Sequence, residues 1–321
     1  MTPKYFTFQP LLKQILWGGN RIAQLKHLAH APESVGESWE LSGVPGNETI
    51  VSGGPFDGQT LNDVVAAMGP ELLGRQNFER FGQEFPLLIK FIDARQPLSI
   101  QIHPNDEVAH RHGKPRGKTE MWYVLPSAPD ATLYSGLSQQ ITPERYKAMV
   151  EQKTITDALA CHPVHEGDVF FIPAGRIHSI GAGCLIAEIQ QTSDVTYRIY
   201  DFDRRDKNGN PRELHTQQAS ESIDYHVYDN YRTSYKPVPN QSVEVVSCPY
   251  FTTSVIQVAG TATLDYTALD SFIVLIVVKG SGSLVVDGDT LPLQTAHTVL
   301  LPATTHQIEL RGDLTLIETH V

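Results

Sequence analysis

Two histidines and a carboxylate lie at strand-like segments of this chain in a pattern that could bind a metal ion. His103 ends one apolar run with Gln101 two residues before it, Glu120 opens a second run, and His178 follows a Pro-Ala-Gly turn. Because side chains alternate along a strand, Gln101 and His103 share one face. Two imidazoles and a carboxylate from separate strands leave coordination positions open for a substrate, and with an amide oxygen they suit zinc or another first-row divalent ion.

Each of these residues taken alone has an ordinary structural alternative. A histidine before Pro-Asn is usually a turn residue, as His103 could be, and His178 could be a loop histidine. Glu120 could stand at a solvated strand end or point into a barrel. The other histidines, His112 and His215 among them, have no evident partner and are predicted to be structural or solvated. The metal site is therefore predicted from the combination.

A small group of polar and cationic residues accompanies these ligands. Lys90 interrupts an apolar strand, where a charge without an anionic partner would be costly to bury. Ser99 lies one alternation step from the amide ligand, Lys118 lies one step from Glu120, and Arg198 stands between aromatic residues of another strand. In an acidic protein, these residues predict a small positive pocket beside the metal.

The composition of the chain excludes several classes of protein. The chain has 321 residues, with 25 Lys and Arg against 36 Asp and Glu, so its net charge is −11. That charge argues against a broad nucleic-acid surface. No apolar run approaches the ~18 residues of a membrane span, and the N-terminus lacks the pattern of a signal peptide. Three cysteines without CxxC spacing favour a reducing cytoplasm.

The local patterns predict a mainly β protein with a few short helices. Thr60 with Asp63 forms a capping box before a helix, and Thr142-Pro143 begins another. Apolar runs bounded by turn residues predict strands at residues 87–92, 98–102, 120–125, 169–173, 185–190, 196–202 and 272–278. Asp287-Gly288 between two such runs predicts a hairpin.

A loose internal repeat predicts two related barrels. A Pro/Asn/Tyr-rich stretch at residues 228–241 has the composition of a linker, and segments on either side of it resemble each other. Residues 170–178 match 299–306, and residues 120–125 match 270–275. The predicted division is a catalytic domain at 1–238, with small helical insertions, and a degenerate domain at 239–321. Asp270 and His306 could be the relic of a second site, but two ligands rarely hold zinc tightly, so both are predicted to be structural.

The motifs around the predicted ligands resemble those of the type I phosphomannose isomerases, zinc-dependent members of the cupin superfamily. Residues 98–105 read Leu-Ser-Ile-Gln-Ile-His-Pro-Asn, residues 118–121 read Lys-Thr-Glu-Met, and residues 172–178 carry the last histidine after Ile-Pro-Ala-Gly. Trp-Gly-Gly at 17–19 and Gly-Glu-Ser-Trp-Glu-Leu-Ser at 36–42 also resemble family elements, so the resemblance covers nearly the whole chain. It implies two cupin-like jelly-roll β-barrels.

The resemblance also implies roles for individual residues. Ser99 and Lys90 match residues implicated in binding the substrate phosphate, Arg198 matches the catalytic arginine, and Glu188 matches an acidic residue ten positions before it. The implied ligands of one Zn²⁺ per chain are Gln101, His103, Glu120 and His178. The segment between the last two ligands is too short for the helical insertion of the longer forms, so the chain resembles the short bacterial form. The sequence after Arg198 differs as well, and a phosphate role for Arg204 does not follow.

The implied reaction interconverts mannose 6-phosphate and fructose 6-phosphate through an enediol. Glu188, Lys118 and metal-bound hydroxide are all candidates for the base that takes the C2 proton. Two rivals share the ligand set: a non-haem iron oxygenase and a sugar-phosphate-binding cupin without turnover. The expected partner is a small sugar phosphate, with neither nucleic acid nor membrane, and the expected protein is a monomer or weak homodimer in the cytoplasm.

Overall fold

The strands of the chain form three main sheets and one small one. The computed structural model describes residues 3–205 and 208–321. The strands within these ranges are β1 (Phe8–Gln9), β2 (Leu11–Gly19), β3 (Val35–Leu41), β4 (Ile50–Val51), β5 (Leu87–Asp93), β6 (Ile100–Ile102), β7 (Glu120–Val124), β8 (Thr132–Leu137), β9 (Leu159–Pro163), β10 (Val169–Ile172), β11 (His178–Ile180), β12 (Leu185–Gln191), β13 (Tyr197–Tyr200), β14 (Arg232–Thr233), β15 (Ser242–Ser247), β16 (Thr252–Asp265), β17 (Ile273–Val286), β18 (Asp289–Gln294), β19 (Thr298–Leu301) and β20 (Gln307–His320).

The helices are short and lie between the strands. The α-helices in the described ranges are α1 (Arg21–Leu25), α2 (Leu61–Met68), α3 (Pro70–Leu73), α4 (Arg75–Phe81), α5 (Asp106–Arg111), α6 (Pro143–Glu151) and α7 (Thr216–Ser222). Short 3₁₀ segments occupy Gly54–Phe56 and Ile155–Ala158. No helix among the described residues has the length and apolar character needed to cross a membrane.

The two sheets of the N-terminal part pack against each other through an apolar layer. One has seven strands in the order β14-β10-β7-β12-β5-β3-β2, and the other has five in the order β13-β6-β11-β8-β9. Trp122 and Ile186 of the larger sheet share a buried cluster with Leu133 and Ile180 of the smaller one. Residues that alternate with these on β12, such as Ala187, belong to a different core on the opposite face.

The C-terminal part is a separate sheet that packs against the back of the seven-stranded sheet. Its order is β15-β16-β20-β17-β18, with β19 added to β17. Val274 and Ile317 from this sheet join Leu61 of α2 and Phe91 of β5 in one continuous core. The other face of the C-terminal sheet has an apolar core of its own.

The structure confirms the mainly β, cupin-like prediction and adds detail to it. The sheets are open and packed together, and they do not close into barrels. Both predicted helix starts are found, since Thr60 forms a capping box with Asp63 and Thr142 caps α6. The hairpin at Asp287-Gly288 joins β17 to β18.

The segment predicted as a linker is partly structured. Within it, β14 pairs with β10 and so extends the seven-stranded sheet. Tyr231 is buried there and donates a hydrogen bond to the Leu137 carbonyl at 2.7 Å. The repeat has a structural counterpart, because β10 pairs with β7 as β19 pairs with β17. The proposed division at residue 238 stays a prediction.

Candidate active site

The predicted metal ligands meet between the two N-terminal sheets. Ligand atoms of His103, Glu120 and His178 all lie within 4.8 Å of one another, and all three residues are buried. Nε2 of His103 is 3.4 Å from Oε2 of Glu120, and Nε2 of His178 is 3.5 Å from Oε1. In the described part of the chain, this is the one group of three or more His, Cys, Asp or Glu residues with that spacing.

Backbone carbonyls fix the orientation of both imidazoles. Nδ1 of His103 lies 2.8 Å from the carbonyl oxygen of Val195, and Nδ1 of His178 lies 2.8 Å from that of Arg176. A carbonyl can only accept, so each Nδ1 carries the proton and each Nε2 presents a lone pair to Glu120. This is the arrangement in which histidine binds a metal ion.

The donor atoms fit a cation. Nε2 of His103 and Oε1 of Glu120 are buried and have no hydrogen-bond partner among the described residues. Burial, reinforced by the charge of Lys118, lowers the pKa of His103 to about 3, so the imidazole is neutral and able to ligate. Burial works against the charge of Glu120, but the ammonium group of Lys118 holds its pKa well below the usual range. Neutral imidazoles with an ionised carboxylate are a donor set for zinc.

Gln101 and Ser99 lie next to the three predicted ligands, and we call these five residues the ligand wall. The amide of Gln101 lies 3.3 Å from Nε2 of His178, and the hydroxyl of Ser99 donates to the amide oxygen of Gln101 at 3.2 Å. Turning the amide over would direct its oxygen towards His178 and let its NH₂ donate to Ser99. Gln101 can therefore serve as the fourth ligand without any change in the backbone.

Strand register explains why these residues converge. Gln101 on β6 pairs directly with His178 on β11 and, on its other side, with Arg198 on β13. His103 follows β6, and its carbonyl accepts from the N–H of Gly175 in the Pro-Ala-Gly turn at 2.9 Å. Glu120 comes from the facing seven-stranded sheet, where it begins β7. The site thus depends on both sheets.

A row of alternating charges extends from the ligands along the larger sheet. Nζ of Lys118 lies 2.7 Å from Oε2 of Glu120 and 3.8 Å from Oε1 of Glu188. Lys90 continues the row with Nζ 3.4 Å from the same Oε1 of Glu188, and it is also 3.8 Å from Oε2 of Glu37. Strand pairing places Lys90, Glu188 and Trp122 side by side on β5, β12 and β7.

Burial sets the ionisation of this row. Burial alone would lower the pKa of Lys118, but the carboxylates of Glu120 and Glu188 outweigh that effect and raise it. Burial raises the pKa of Glu188, and the charge of Glu120 raises it further against the opposing effect of Lys118 and Lys90. Oε2 of Glu188 accepts from Nε1 of Trp122 at 3.0 Å, while Oε1 accepts no hydrogen bond from the described residues.

A cavity of about 830 Å³ opens beside the row and gives a substrate access to it. Its wall contains every predicted catalytic and substrate-binding residue, namely Lys90, Ser99, Lys118, Glu188 and Arg198, together with Gln101. His103, Glu120 and His178 do not line it and are less than 2% exposed.

The comparisons with known proteins agree with the motifs. Residues 5–153 match the family model described as phosphomannose isomerase type I, catalytic domain, and residues 241–321 match the one described as mannose-6-phosphate isomerase, cupin domain. The mannose-6-phosphate isomerase ManA of Bacillus subtilis is 31% identical to this chain over 328 residues, covering 100% of both sequences. The chain belongs to the type I phosphomannose isomerase family. The resemblance and the expected enzyme class, a mannose-6-phosphate isomerase, are confirmed.

Solved structures of phosphomannose isomerases share the fold. The crystal structure of the mannose 6-phosphate isomerase from Bacillus subtilis aligns with a TM-score of 0.88 at 30% identity, covering 99% of this chain and 100% of that one. A structure described as mannose 6-phosphate isomerase bound with zinc and yttrium aligns with a TM-score of 0.77 at 16% identity, covering 99% of each chain. At that identity the second likeness shows the fold alone.

Several residues that line the cavity were not predicted from the sequence. Glu37 and Trp39 flank Lys90, the Trp39 ring centroid lying 4.8 Å from Nζ. His112 and His215, predicted to be structural or solvated, line the cavity wall with Lys114 and Arg212. A glutamate two residues before a tryptophan on a strand was a usable signal for the first pair. The others lie in loops or next to a helix end, where side chains follow no regular period that would identify the inward-facing residues.

Two other sequence expectations have clear structural outcomes. Arg204 does not line the cavity and is bound to Asp201 and to the carbonyl of Pro97. Asp270 accepts hydrogen bonds from the backbone N–H groups of Arg75 and Gln76. Asp270 therefore satisfies backbone N–H groups at the start of α4. The described residues form no second metal-binding cluster around it.

Proposed function

We propose that the chain interconverts mannose 6-phosphate and fructose 6-phosphate through an enediol, using a bound zinc ion. The observation that carries the proposal is the buried His103–Glu120–His178 set beside a cavity that Glu188 and Lys118 line. Within that set, Nε2 of His103 and Oε1 of Glu120 have no hydrogen-bond partner among the described residues. An aldose–ketose isomerisation needs both features, because a proton must leave C2 while charge develops on the neighbouring oxygens.

One zinc ion per chain would be held by Gln101, His103, Glu120 and His178. When bound, the ion would supply Lewis-acid stabilisation of the oxygens at C1 and C2. The second ring nitrogens of both histidines are already committed to backbone carbonyls. The chain therefore holds the ligand atoms in place before the ion arrives.

Glu188 is our candidate for the base that moves the proton between C2 and C1. Its Oε1 accepts no hydrogen bond from the described residues, while the hydrogen bond from Trp122 fixes its other oxygen. Burial and the charge of Glu120 raise the pKa of Glu188, which makes this carboxylate a stronger base than an ordinary one. Lys118, with its raised pKa, would remain an ammonium group and stabilise negative charge on the enediolate.

Arg198, Ser99 and Lys90 would bind and orient the substrate. Arg198 lies across from Gln101 in register, so a sugar that reaches the ligand wall would contact it. Its guanidinium would stabilise developing negative charge. Ser99 and Lys90 line the cavity and offer hydrogen-bond donors to the polar groups of the bound sugar.

The test is a coupled assay for fructose 6-phosphate on protein whose metal content has been measured. We expect conversion of mannose 6-phosphate by the zinc-loaded protein, loss on chelation and recovery when zinc is returned. Oxygen uptake with an iron requirement would favour an oxygenase instead. Tight binding of the sugar phosphate without conversion would favour a binding protein and contradict the proposal.

We also propose a cytoplasmic protein, monomeric or weakly dimeric, whose partner is the sugar phosphate alone. The net charge of −11 disfavours a nucleic-acid surface and therefore supports the absence of a nucleic-acid partner. Sedimentation at several concentrations would measure the oligomeric state.

A further inference from the structure

We infer that the phosphate group of the substrate binds at the outer wall of the cavity, to a cluster formed by the cations Lys114 and Arg212 and the neutral donor His215, next to Arg198. This rests on the proposed function and names the part of the same cavity that receives the phosphate. It departs from the role that the family resemblance implies for Lys90.

The inner lysines already have anionic partners. Lys90 lies between Glu188 and Glu37, and Lys118 lies between Glu120 and Glu188. A phosphate dianion placed against Lys90 would therefore also lie next to two carboxylates. Repulsion from those carboxylates would offset most of the attraction.

Arg198 differs from both lysines. In the described part of the chain, no carboxylate oxygen lies within 4.0 Å of its guanidinium nitrogens. Nη1 donates to the neutral carbonyl of Glu213 at 2.9 Å, and Nε is buried without a partner. Burial lowers the pKa of Arg198, and the charge of Arg212 lowers it further, so an added anion would be favourable here.

Arg212 is held in place by Asp201 and belongs to a group of side chains with a net positive charge. Both oxygens of Asp201 accept from it, at 2.7 Å and 2.5 Å. The same carboxylate also pairs with Arg204. Two guanidinium groups against one buried carboxylate leave a net positive charge, and Arg212 is the member of this group that lines the cavity.

His215 offers a neutral donor beside these charges. Its Nδ1 accepts from the backbone N–H of Arg198 at 3.1 Å, so the proton is on Nε2, which is then a donor. The Nε2 atom lies 4.0 Å from the Glu213 carboxylate, beyond a hydrogen bond. His112 is different, because both of its ring nitrogens are engaged, by Tyr197 and Glu221.

Lys114 provides the most accessible charge. It is exposed, and no carboxylate of the described residues lies within 4.0 Å of its Nζ. Burial lowers the pKa of His215 and Glu213 opposes that effect, while the charges of Arg198 and, to a smaller extent, Lys114 lower the pKa further. Asp194 is the acidic residue of the cavity wall on this side.

The placement suits the shape of a six-carbon sugar phosphate. C1 and C2 must lie at the ligand wall, and the phosphate on C6 lies at the opposite end of an extended chain. Arg198 is one strand away from Gln101. A sugar bound with its phosphate just beyond Arg198 would have C1 and C2 at the metal-binding residues and C6 at the outer cluster. Binding of the remote phosphate would then orient the reacting carbons.

The test compares Lys114→Met with Lys236→Met, a matched change of an exposed lysine that does not line the cavity. Binding of inorganic phosphate is titrated on the full chain, both chelated and zinc-loaded, because zinc itself binds phosphate. We expect Lys114→Met to weaken phosphate binding on the order of tenfold in both states and to raise KM for mannose 6-phosphate similarly, with kcat little changed. Lys236→Met should match the wild type.

Three results separate this inference from the proposed function. Unchanged phosphate affinity in Lys114→Met, or no phosphate binding by the wild type, would overturn the outer subsite. A loss of phosphate affinity in Lys90→Met and not in Lys114→Met would return the phosphate to the inner wall. Phosphate binding that depends on Lys114 in a protein without isomerase activity would keep the subsite and refute the reaction.

Discussion

Glu188 is the residue on which the proposed proton transfer depends, because it has a raised pKa at the cavity wall and an oxygen that accepts no hydrogen bond from the described residues. Glu188→Gln keeps the acceptor for Trp122 but removes the base, so we expect kcat to fall by about 10²–10⁴-fold. Metal content should not change, since Glu188 is not a ligand. Steady-state kinetics with metal analysis measures both, and Glu166→Gln at an exposed site is the control.

The wild-type rate should also depend on pH with a definite sign. A base must be ionised, so kcat should rise as pH increases through the pKa of Glu188 and then level off. Glu188→Gln should lack that rise. A Glu188→Gln variant with wild-type kcat would exclude this base and leave Lys118 or a metal-bound hydroxide.

Lys90 should act on Glu188 more than on the phosphate. Its charge lowers the pKa of Glu188, so Lys90→Met should raise that pKa and move the rising limb of the kcat profile to higher pH. Phosphate affinity should stay close to that of the wild type. The dependence of kcat on pH, measured below neutrality, tests this. A rising limb at the wild-type pH together with a large rise in KM would assign phosphate binding to Lys90 after all.

At the residue scale, the proposed metal ligands could be predicted from the sequence, whereas the cations of the proposed phosphate subsite could not. Gln101, His103, Glu120 and His178 were recognised because they lie in short motifs with strand periodicity and Pro-Gly turns. Arg212 and Lys114 have no such local pattern. Their association with Arg198 arises only when distant loops fold onto one wall.

At the scale of elements, the capping box at the start of α2 offers a direct stability test. The Thr60 hydroxyl accepts from the N–H of Asp63, and the Asp63 carboxylate accepts from the N–H of Thr60. Thr60→Ala should lower the free energy of unfolding by about 1 kcal/mol. Thr60→Ser keeps the cap and should lose much less, which denaturant unfolding would show. Equal losses would mean that the cap contributes nothing measurable.

Strands could be predicted as elements, but their pairing could not. Alternating and apolar runs located β5, β7, β10 and β12, because side-chain periodicity is local. The pairing of Gln101 with His178 joins residues far apart in sequence, and no local pattern specifies it. Barrel closure was predicted from the internal repeat and implied by the family resemblance, whereas strand pairing leaves the sheets open.

At the scale of the whole molecule, Glu318 links stability to pH within the C-terminal sheet. It is 5% exposed and accepts from Tyr266 at 2.6 Å and Ser242 at 3.1 Å. Burial nevertheless raises its pKa above the ordinary value. The folded protein therefore binds this proton more tightly than the unfolded chain, and the resulting stability is present at low pH and lost as pH rises through the folded pKa.

Glu318→Gln removes that titration while keeping hydrogen-bonding groups for both hydroxyls. The wild type should lose stability relative to the variant as pH rises from about 4, near the ordinary carboxyl pKa, towards neutrality. Unfolding free energies of both proteins across that range give the difference directly. A difference that does not change with pH would contradict the assignment.

The central claim, that the buried ligand set holds the metal on which isomerisation depends, is tested most directly by metal content and turnover measured on the same samples. The informative pair is His103→Ala, at a buried ligand, and His165→Ala, whose side chain is 77% exposed. We predict that His103→Ala loses bound zinc and the conversion of mannose 6-phosphate together, while His165→Ala keeps both. A folded His103→Ala protein with full metal content and full turnover would contradict the account.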